Sequence, residues 1–327
     1  MNNDIFVIIE HLEGQIADIS YVMLAAAREI ALTGQSKVVG VLLGKNIEKL
    51  GQSLAADKVW LCDDPMLADY SPIAHKHVLG DLIQKHAPRL VLFGDTSTGA
   101  EVAAGLSARL GLPLTSACYR LSVRDQTIHY DCRICGGRIH AQGELPSPTA
   151  LIAMVPGGYN PENGRSANPP PIEYIPMTRP GESPVRLLNM IQPGAGDVDI
   201  SRVEVLVAIG RGIQNQDNLE IIEDLAEALG GVLCASRPVV DQGWLPISRL
   251  VGKSGRRVRP KIYLAVGISG APEHVEAIGG SQAIIAINTD PEAPIFNLAQ
   301  YGTTSDLFEL VPVLTDQIRL ARSERVA

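Results

Sequence analysis

The sequence of 327 residues predicts an α/β protein of two domains, each a largely parallel β-sheet flanked by helices. First, apolar runs of strand length, such as residues 4–10, are nearly continuous, which is typical of strands covered on both faces. Second, these runs alternate with helical patterns, as in right-handed βαβ units. Third, a turn-rich break at residues 192–202 interrupts the alternation. We therefore expect an N-terminal domain at 1–191, a linker at 192–202 and a C-terminal domain at 203–327.

The N-terminal domain is predicted from four strand–helix pairs followed by shorter strands. The pairs are strand 4–10 with helix 21–32, strand 38–43 with helix 47–56, strand 58–62 with helix 73–86, and strand 89–93 with helix 100–110. Residues 114–155 are short apolar runs separated by turns, which predicts an antiparallel extension of the sheet. Residues 157–171 predict an irregular segment, and residues 185–190 resemble a further strand. The loop 94–99 lacks the Gly-Lys-Ser/Thr ending of a P-loop, so we interpret it as structural.

The C-terminal domain repeats the alternation, with strands at 203–209, 232–235, 262–266 and 283–287. A helix at 219–229 has one apolar face, with Asp217 or Asn218 as its N-cap and Gly230 at its end. A last helix follows Asp306. Ligands bind outside the carboxyl ends of parallel strands, so the residues that follow each strand are candidates for a binding site.

The clearest candidate is the loop after strand 262–266. Its sequence, Gly-Ile-Ser-Gly-Ala at 267–271, lets backbone N–H groups approach a ligand without obstruction by Cβ atoms. Pro272 suits the first turn of a following helix, where its missing N–H costs nothing. Strand, loop and helix N-terminus together predict an anion-binding site.

Three other loops carry residues suited to ligand contact. Residues 210–212 (Gly-Arg-Gly) match half of the dinucleotide fingerprint, but the third glycine is absent. Ser236 and Arg237 follow the strand 232–235, where Arg237 is equally consistent with a surface ion pair. Residues 251–255 contain Gly-Lys-Ser, but Ile247 stands where a P-loop needs glycine, which excludes an ATPase of that type.

Composition limits the classes of partner. The chain is 46% hydrophobic and 20% charged, which is typical of a globular protein. Aromatic residues make up only 4% and the net charge is -8, so a nucleic-acid partner is not expected. No apolar run reaches the roughly 18 residues of a membrane helix, so we expect no membrane insertion. The N-terminus has no basic leader, and we expect a cytoplasmic protein.

The five cysteines contain one pattern that resembles a metal site. His129, Cys132, Cys135 and His140 have the types and spacing of a four-ligand zinc site. The flanking residues alternate as in two strands, however, and residues i and i+3 of a strand point to opposite faces. We therefore predict a β-hairpin with free thiols and no metal.

Seven motifs occur in a fixed order in the C-terminal half, and two more lie in the N-terminal half. They are Gly-Arg-Gly at 210–212, Ala-Ser-Arg-Pro-Val-Val-Asp at 235–241, Val-Gly-Lys-Ser-Gly at 251–255, Gly-Ile-Ser-Gly at 267–270, Ala-Ile-Asn at 286–288, Asp-Pro-Glu-Ala-Pro-Ile-Phe at 290–296, Tyr-Gly at 301–302 with Asp-Leu-Phe at 306–308, Val-Ile-Ile-Glu-His at 7–11 and Gly-Asp-Thr-Ser-Thr-Gly at 94–99. With these motifs the chain resembles the α subunits of electron transfer flavoproteins over essentially its whole length.

The resemblance implies a heterodimer with a β subunit, contacted by the N-terminal domain, and one FAD held by a Rossmann-like C-terminal domain. It places cofactor contacts at Arg211, Ser236, Arg237, Val251, Gly252, Lys253, Ser254, Ser269, Gly270, Ala271, Pro272, Glu273, His274, Asn288, Asp306 and Leu307. Arg237 would favour negative charge on the flavin ring, Ser254 would donate near N5 and O4, and His274 would stabilise charge near N1 and O2. Ser269 and Gly270 would contact the diphosphate or ribityl group, and Asn288 and Asp306 the phosphate and adenosine side.

The chain departs from the family pattern at two places. Lys253 and Ser254 replace the usual Gln and Thr, so a hydroxyl is kept and a positive charge is added. In the loop after the strand, Pro272 and Glu273 replace Ile and Gln, and we expect Glu273 to pair with Lys253 or Arg237, or to lower the flavin potential. These changes bear on the potential and not on FAD binding.

The resemblance implies an electron carrier rather than an enzyme with its own substrate. Electrons would come from acyl-CoA dehydrogenases or other dehydrogenases and pass to a quinone oxidoreductase or another acceptor. The alternatives are an electron-bifurcating or specialised anaerobic member of the family, and a nucleotide-binding scaffold subunit without flavin. A hydrolase built on Ser269 and His274 lacks a third triad member.

Overall fold

The computed structural model describes residues 3–12, 14–34, 36–135, 139–177, 185, 188 and 198–326. The chain forms two compact units, Met1–Met190 and Ile191–Ala327. Most of the predicted strand 185–190 and of the linker 192–202 lies outside the described residues. Among the described helices, none combines the length and the apolar character needed to cross a membrane.

Within its described residues, the first unit is built on a nine-stranded sheet with three α-helices and a two-stranded ribbon. The strands are β1 Ile5–Ile9, β2 His11–Leu12, β3 Gln15–Ile16, β4 Val38–Gly44, β5 Lys58–Asp63, β6 Leu90–Gly94, β7 Leu114–Arg124, β8 Thr127–Ile134, β9 Ile139–Glu144, β10 Ala150–Met154 and β11 Ile172–Tyr174, and the helices are α1 Asp18–Gly34, α2 Pro72–His86 and α3 Ser97–Leu110. The strand order is β11-β5-β4-β1-β6-β10-β7-β8-β9. Every pair from β11 to β7 is parallel, and β7, β8 and β9 are antiparallel.

Two predictions for this unit are wrong in part. The antiparallel extension is confirmed for β7, β8 and β9, but β10 lies inside the parallel sheet between β6 and β7. All five residues of β10 are buried and apolar, as parallel strands require. The predicted helix 47–56 is a 3₁₀ helix at Glu48–Ser53, because it contains the helix-disfavouring Gly51 and Leu54 is already extended.

The loop 94–99 is partly the first turn of α3. The side chain of Thr96 accepts a hydrogen bond from the Gly99 N–H at 2.9 Å and so caps the helix. The hydroxyl of Thr96 donates to one carboxyl oxygen of Glu10 at 2.9 Å. The other oxygen of Glu10 is buried and has no hydrogen-bond partner among the described residues, and burial raises the pKa of this carboxyl.

The cysteine-containing strands form the predicted hairpin. Ile134 of β8 pairs with Ile139 of β9, and Cys135 lies exposed in the turn between them. Cys132 is buried and pairs across the sheet with Cys118 of β7. All five cysteines are free thiols.

The second unit is built on a five-stranded, entirely parallel sheet. Its strands are β12 Val205–Ile209, β13 Val232–Ala235, β14 Ile262–Val266, β15 Ala283–Ile287 and β16 Tyr301–Thr303, and its helices are α4 Leu219–Leu229, α5 Arg237–Asp241, α6 Pro272–Ile278 and α7 Leu307–Val326. One face of the sheet packs against α4 and α7 and the other against α6 and the loop that contains Val251. The strands and α4 predicted from the sequence are confirmed.

Only the C-terminal end of α4 agrees with the prediction made from the sequence. Gly230 ends the helix in a left-handed conformation with φ +63°, as predicted. Neither Asp217 nor Asn218 caps its start with a side chain. The Asn218 amide instead donates to the carbonyl of Ile213 at 2.8 Å, while Asn215 caps the preceding 3₁₀ turn.

Candidate FAD-binding site

The predicted cofactor contacts lie where the five parallel strands of the second unit end. Residues 210–212 follow β12, Ser236 and Arg237 follow β13, residues 267–270 follow β14, Asn288 follows β15, and Asp306 follows β16. The strand order is β13-β12-β14-β15-β16, so the direction of winding reverses between β12 and β14. Open α/β sheets bind ligands in the crevice at such a reversal.

The two loops beside this reversal pack backbone against backbone. The Gly212 N–H donates to the Gly267 carbonyl at 3.1 Å, and a Cβ on Gly212 would lie 2.6 Å from the Gly267 Cα. Gly267 itself has φ +63°. The half-matched dinucleotide fingerprint at 210–212 is therefore explained by close loop packing, which needs glycine at these positions.

The loop after β14 presents a row of unused donors. The backbone N–H groups of residues 268–271 donate to no acceptor within the described part of the chain. Gly270 has φ +87°, and a Cβ there would collide with the backbone of Ile295. The Ile295 N–H holds the loop from behind by donating to the Ser269 carbonyl at 3.0 Å. Such a loop fits a polyanionic group such as the diphosphate of FAD.

The following helix contributes less to this anion site than the sequence suggested. Pro272 occupies its first turn as predicted and Ala271 is its N-cap residue, but α6 has only 7 residues. A helix this short adds little dipole, so the N–H groups of the loop itself carry the site.

Asn288 and Asp306 already have protein partners. The Asn288 amide donates to the Ile268 carbonyl at 2.9 Å, and its oxygen accepts from the Asp290 N–H at 3.0 Å. Asp306 accepts from the Phe308 N–H at 2.8 Å and so caps α7, whose first residue, Leu307, is buried. Asn288 thus positions the loop after β14, and the predicted contacts of both polar residues with FAD stay predictions.

Arg237 and Ser254 meet although they are far apart in the sequence. The Arg237 Nη1 donates to the Ser254 Oγ at 3.1 Å, across 17 residues of chain. The Nε of Arg237 lies 3.3 Å from the carboxylate of Asp241, and the Arg237 side chain is 63% exposed. The cation is therefore held in place while its outer face stays accessible to a ligand.

The loop 251–255 is anchored through its backbone. The Val251 N–H donates to the Ala235 carbonyl at 2.9 Å, and the Lys253 N–H donates to the Glu273 carbonyl at 2.8 Å. Gly252 has φ +152°, and a Cβ there would lie 3.7 Å from the carbonyl oxygen of Glu273, an ordinary van der Waals contact. The anchoring uses the backbone of Lys253 and not its side chain, and Lys253 is exposed.

The expected ion pair of Glu273 is not found. Within the described residues its carboxylate pairs with neither Lys253 nor Arg237, and the partner of Arg237 is Asp241. Glu273 contacts the loop 251–255 through its backbone carbonyl, which accepts from the Lys253 N–H. Its side chain stays exposed on the first turn of α6.

His274 is buried, with 6% of its surface exposed, and both ring nitrogens are engaged. Nε2 lies 2.8 Å from the Tyr263 hydroxyl, and Nδ1 lies 3.1 Å from the Val251 carbonyl. Burial lowers the pKa of His274 to about 4, so the ring is neutral at pH 7. The predicted contact of His274 with the flavin stays a prediction.

Ser236 and Arg211, two further predicted cofactor contacts, differ in burial. Ser236 is buried, yet its hydroxyl makes no hydrogen bond with the described residues and does not cap α5. Arg211 is exposed in the 3₁₀ turn after β12. Both side chains remain available to a bound ligand.

Sequence reasoning missed Tyr263 and Asp241. Tyr263 is fully buried in the middle of β14 and contacts His274. The signal was present, since a tyrosine inside a buried aliphatic strand needs a partner for its hydroxyl. Asp241 lies one helical turn after Arg237 on α5, at the i, i+4 spacing of helical ion pairs.

Comparison with known proteins agrees with this site. The family model "Electron transfer flavoprotein FAD-binding domain" matches residues 199–279, and "Electron transfer flavoprotein domain" matches residues 5–179. The chain is 35% identical to the electron transfer flavoprotein subunit alpha of Megasphaera elsdenii, over 96% of both chains. It is 32% identical to the same subunit of Thermoanaerobacterium thermosaccharolyticum, over 97% of this chain and 98% of that one.

A third relative has a different name. The chain is 33% identical to "Lactate dehydrogenase (NAD(+),ferredoxin) subunit LctC" of Acetobacterium woodii, over 96% of this chain and 76% of that protein. The relatives thus cover nearly the whole chain, one family model matches in each half, and the FAD-binding match spans the loops after β12, β13 and β14. The chain belongs to the electron transfer flavoprotein family, as an α subunit whose C-terminal domain binds FAD.

Proposed function

We propose that this chain is the FAD-holding subunit of a heterodimeric electron carrier. It accepts electrons from dehydrogenases, such as acyl-CoA dehydrogenases, and passes them to a quinone oxidoreductase or another acceptor. The proposal rests on one observation. The hydrogen bond between Arg237 and Ser254 lies at the same edge of the C-terminal sheet, where its strands end, as the N–H groups of residues 268–271 that have no acceptor within the described residues. One edge thus offers a donor row for a diphosphate and a cation for a redox-active ring.

Each group has a distinct task when FAD is bound. The cofactor supplies the one-electron and two-electron chemistry, and the protein supplies binding and charge. The N–H groups of the loop bind the diphosphate, with Ser236 and Arg211 as further contacts. Arg237 cannot lose its proton, so its fixed charge favours the more negative reduced forms of the flavin over the oxidised form. Lys253 adds a second cation on the same exposed loop.

A β subunit completes the carrier in this proposal. The relatives named as electron transfer flavoprotein α subunits are, by that name, parts of larger assemblies. We assign the contact with the β subunit to the N-terminal domain at residues 1–191, since the proposed FAD contacts all lie in the C-terminal domain at 203–327.

A hydrolase is a poor alternative. Its nucleophile would be Ser269 and its base His274, but the two nitrogens of His274 contact Tyr263 and Val251. A general base must reach the proton that it removes. The site residues therefore support electron transfer and not hydrolysis.

A second candidate is a specialised or electron-bifurcating carrier. The similarity to a subunit of a lactate dehydrogenase that is named for NAD(+) and ferredoxin favours it. The number of flavins distinguishes the two candidates, since a simple carrier holds one FAD per heterodimer and a bifurcating carrier holds two. A colourless heterodimer that takes up no added FAD would leave only a flavin-free scaffold.

The deciding experiment is a visible spectrum with stepwise dithionite titration of the chain co-expressed with its β subunit. We expect flavin bands, one FAD per heterodimer and reoxidation by an acceptor. Arg237→Gln tests the site, and Arg202→Gln is its control because Arg202 precedes β12 at the opposite edge of the sheet. A shifted midpoint potential in Arg237→Gln alone supports the proposal, and equal potentials in both variants contradict it.

A further inference from the structure

Asp241, Arg237 and Ser254 form a short chain of side-chain contacts at the FAD edge. The Asp241 carboxylate accepts from the Nε of Arg237 at 3.3 Å, and the Nη1 of Arg237 donates to the Ser254 Oγ at 3.1 Å. Within the described residues, the side chains of Asp241 and Ser254 make no other hydrogen bond or ion pair. The contacts therefore lead from Asp241, which is not among the predicted cofactor contacts, to Ser254, which is one of them.

Two contacts on different nitrogens fix the plane of the Arg237 guanidinium. A planar group that is held at one nitrogen can still turn about that contact, and the second contact removes this freedom. Asp241 lies one turn along the same helix, and Ser254 lies in the loop 251–255, so the two contacts come from separate segments. Arginine has five N–H donors and two of them are used, which leaves three for a bound ligand.

The contact with Arg237 also decides what the Ser254 hydroxyl can do. Arginine only donates, so the Ser254 oxygen is the acceptor and its own hydrogen is not used in this bond. Serine lacks the second Cβ substituent of the threonine usual in the family, so its χ1 angle is less restricted. The contact with Arg237 supplies that restriction and leaves the hydrogen of Ser254 pointing away from Arg237, as a donor for the flavin ring.

Folding stability does not explain the pair of Arg237 and Asp241. The two side chains are 63% and 59% exposed, and exposed ion pairs at i, i+4 contribute little to stability. An anion at this place also opposes the favourable interaction of Arg237 with a reduced flavin. Asp241 thus has an electrostatic cost at the site, which a gain in the orientation of Arg237 offsets.

We propose that Asp241 is a positioning residue for the flavin: its carboxylate holds the Arg237 guanidinium so that Nη1 fixes the Ser254 hydroxyl as a donor to the ring. Asp241 acts through Arg237 and not by a contact of its own with the cofactor. The proposal rests on the FAD site assigned above and adds a residue whose effect on the flavin is opposite to the effect of its charge.

A double-mutant cycle separates this role from the charge of Asp241. The fields of separate charges add, so an Asp241 that acted by charge alone would change the two-electron midpoint potential equally in wild type and in Arg237→Gln. Positioning is not additive, because Asp241→Ala can misplace Arg237 only where Arg237 is present. At a fixed solution potential, we expect Asp241→Ala to lower the ratio of reduced to oxidised flavin about two- to fivefold relative to its effect in Arg237→Gln.

Asp241→Asn separates the hydrogen bond from the charge. Asparagine keeps an oxygen that accepts from the Arg237 Nε but carries no charge. Asp241→Asn should therefore show the charge effect alone, with the same shift of potential in wild type and in Arg237→Gln.

Glu204→Gln is the matched control for the loss of one negative charge. Glu204 directly precedes β12 at the opposite edge of the same sheet, where its carboxylate pairs with Lys261 at 2.7 Å. Glu204→Gln should leave the flavin potential unchanged, because its charge lies far from the strand ends that form the FAD site.

Potentiometric titration of the FAD-loaded heterodimers gives the result. Equal shifts by Asp241→Ala with and without Arg237 would overturn the proposal, and so would an equal departure from additivity in Asp241→Ala and Asp241→Asn. The Tm should not change in the Asp241 variants, because the ion pair is exposed. A loss of Tm in Asp241→Ala together with additive potentials would indicate a purely structural role and refute the proposal.

These outcomes are separable from the proposed function. A wild-type heterodimer that binds no FAD would remove the electron carrier and the role of Asp241 together. A wild type that binds FAD and gives an additive cycle would keep the carrier and remove only the role of Asp241.

Discussion

The anion loop can be tested at Gly270, where two separate costs of a side chain can be told apart. Gly270→Ala forces alanine into φ +87° and directs its Cβ against the backbone of Ile295. The left-handed conformation costs about 1–2 kcal/mol for a residue other than glycine. The collision adds about 1–3 kcal/mol, because backbone on both sides must move. We expect a total loss of about 2–5 kcal/mol in the free energy of unfolding of the C-terminal domain.

Gly243 provides the matched control in the same domain. It has φ +74°, and a Cβ there would meet nothing within 4 Å. Gly243→Ala should therefore show only the conformational cost of about 1–2 kcal/mol. Urea unfolding of both variants measures the difference, which is the cost of the collision alone.

FAD binding supplies the second measurement. Moving the Gly270 backbone displaces the N–H groups of residues 268–271, so FAD should bind Gly270→Ala at least about tenfold more weakly, while Gly243→Ala should bind it as the wild type does. Equal unfolding free energies in the two variants would refute the packing argument. Equal FAD affinities would refute the assignment of this loop to the cofactor.

Three further predictions concern single groups. Burial raises the pKa of the Glu10 carboxyl in the native state, so the wild type is most stable below the unfolded-state pKa of about 4.5 and loses stability as the pH rises through the native-state pKa. Glu10→Gln should remove this loss, and urea unfolding of both proteins at pH 4 and pH 7 measures it. Arg237→Gln should lower the two-electron midpoint potential of the flavin by up to about 20 mV, since a charge this exposed contributes about 1 kcal/mol or less, and an unchanged or higher potential would contradict its role. Thiol titration of the native protein should count one rapidly reacting cysteine, Cys135, and labelling of a buried thiol at the same rate would contradict the described packing.

The sequence predicted those features that local pattern controls. The strands of the C-terminal sheet are uninterrupted buried runs, so their positions could be predicted nearly to the residue. Arg237, Ser254 and the glycine loop were identified from their motifs. Because the ends of parallel strands meet at one edge of a sheet, these residues were expected to lie close together, and Arg237 and Ser254 are hydrogen-bonded in the structure. The helix expected at 47–56 failed because Gly51 and the neighbouring strands outweigh its weak helical pattern.

Features that depend on contacts between distant segments could not be predicted. The insertion of β10 between β6 and β7 depends on chain topology, since a buried apolar run is equally suited to an edge or a centre. The partners of His274 come from β14 and from the loop 251–255, and nothing in the sequence near His274 indicates them. Glu273 was expected to pair with Lys253 or Arg237, or to lower the flavin potential, whereas the contact that it makes with the loop 251–255 is through its backbone carbonyl.

The backbone anchoring of the loop 251–255 explains how the lysine at 253 is tolerated. The bond from residue 253 to α6 is made by its N–H, so the side chain can change without loss of the anchor. Lys253→Gln, which introduces the residue usual in the family, should therefore leave FAD affinity and Tm unchanged. It should lower the flavin midpoint potential, because one cation on the exposed loop is removed, and Lys261→Gln at the amino end of β14 serves as the control. A loss of FAD affinity in Lys253→Gln would show that the side chain binds the cofactor directly, and an unchanged potential would place its charge away from the ring.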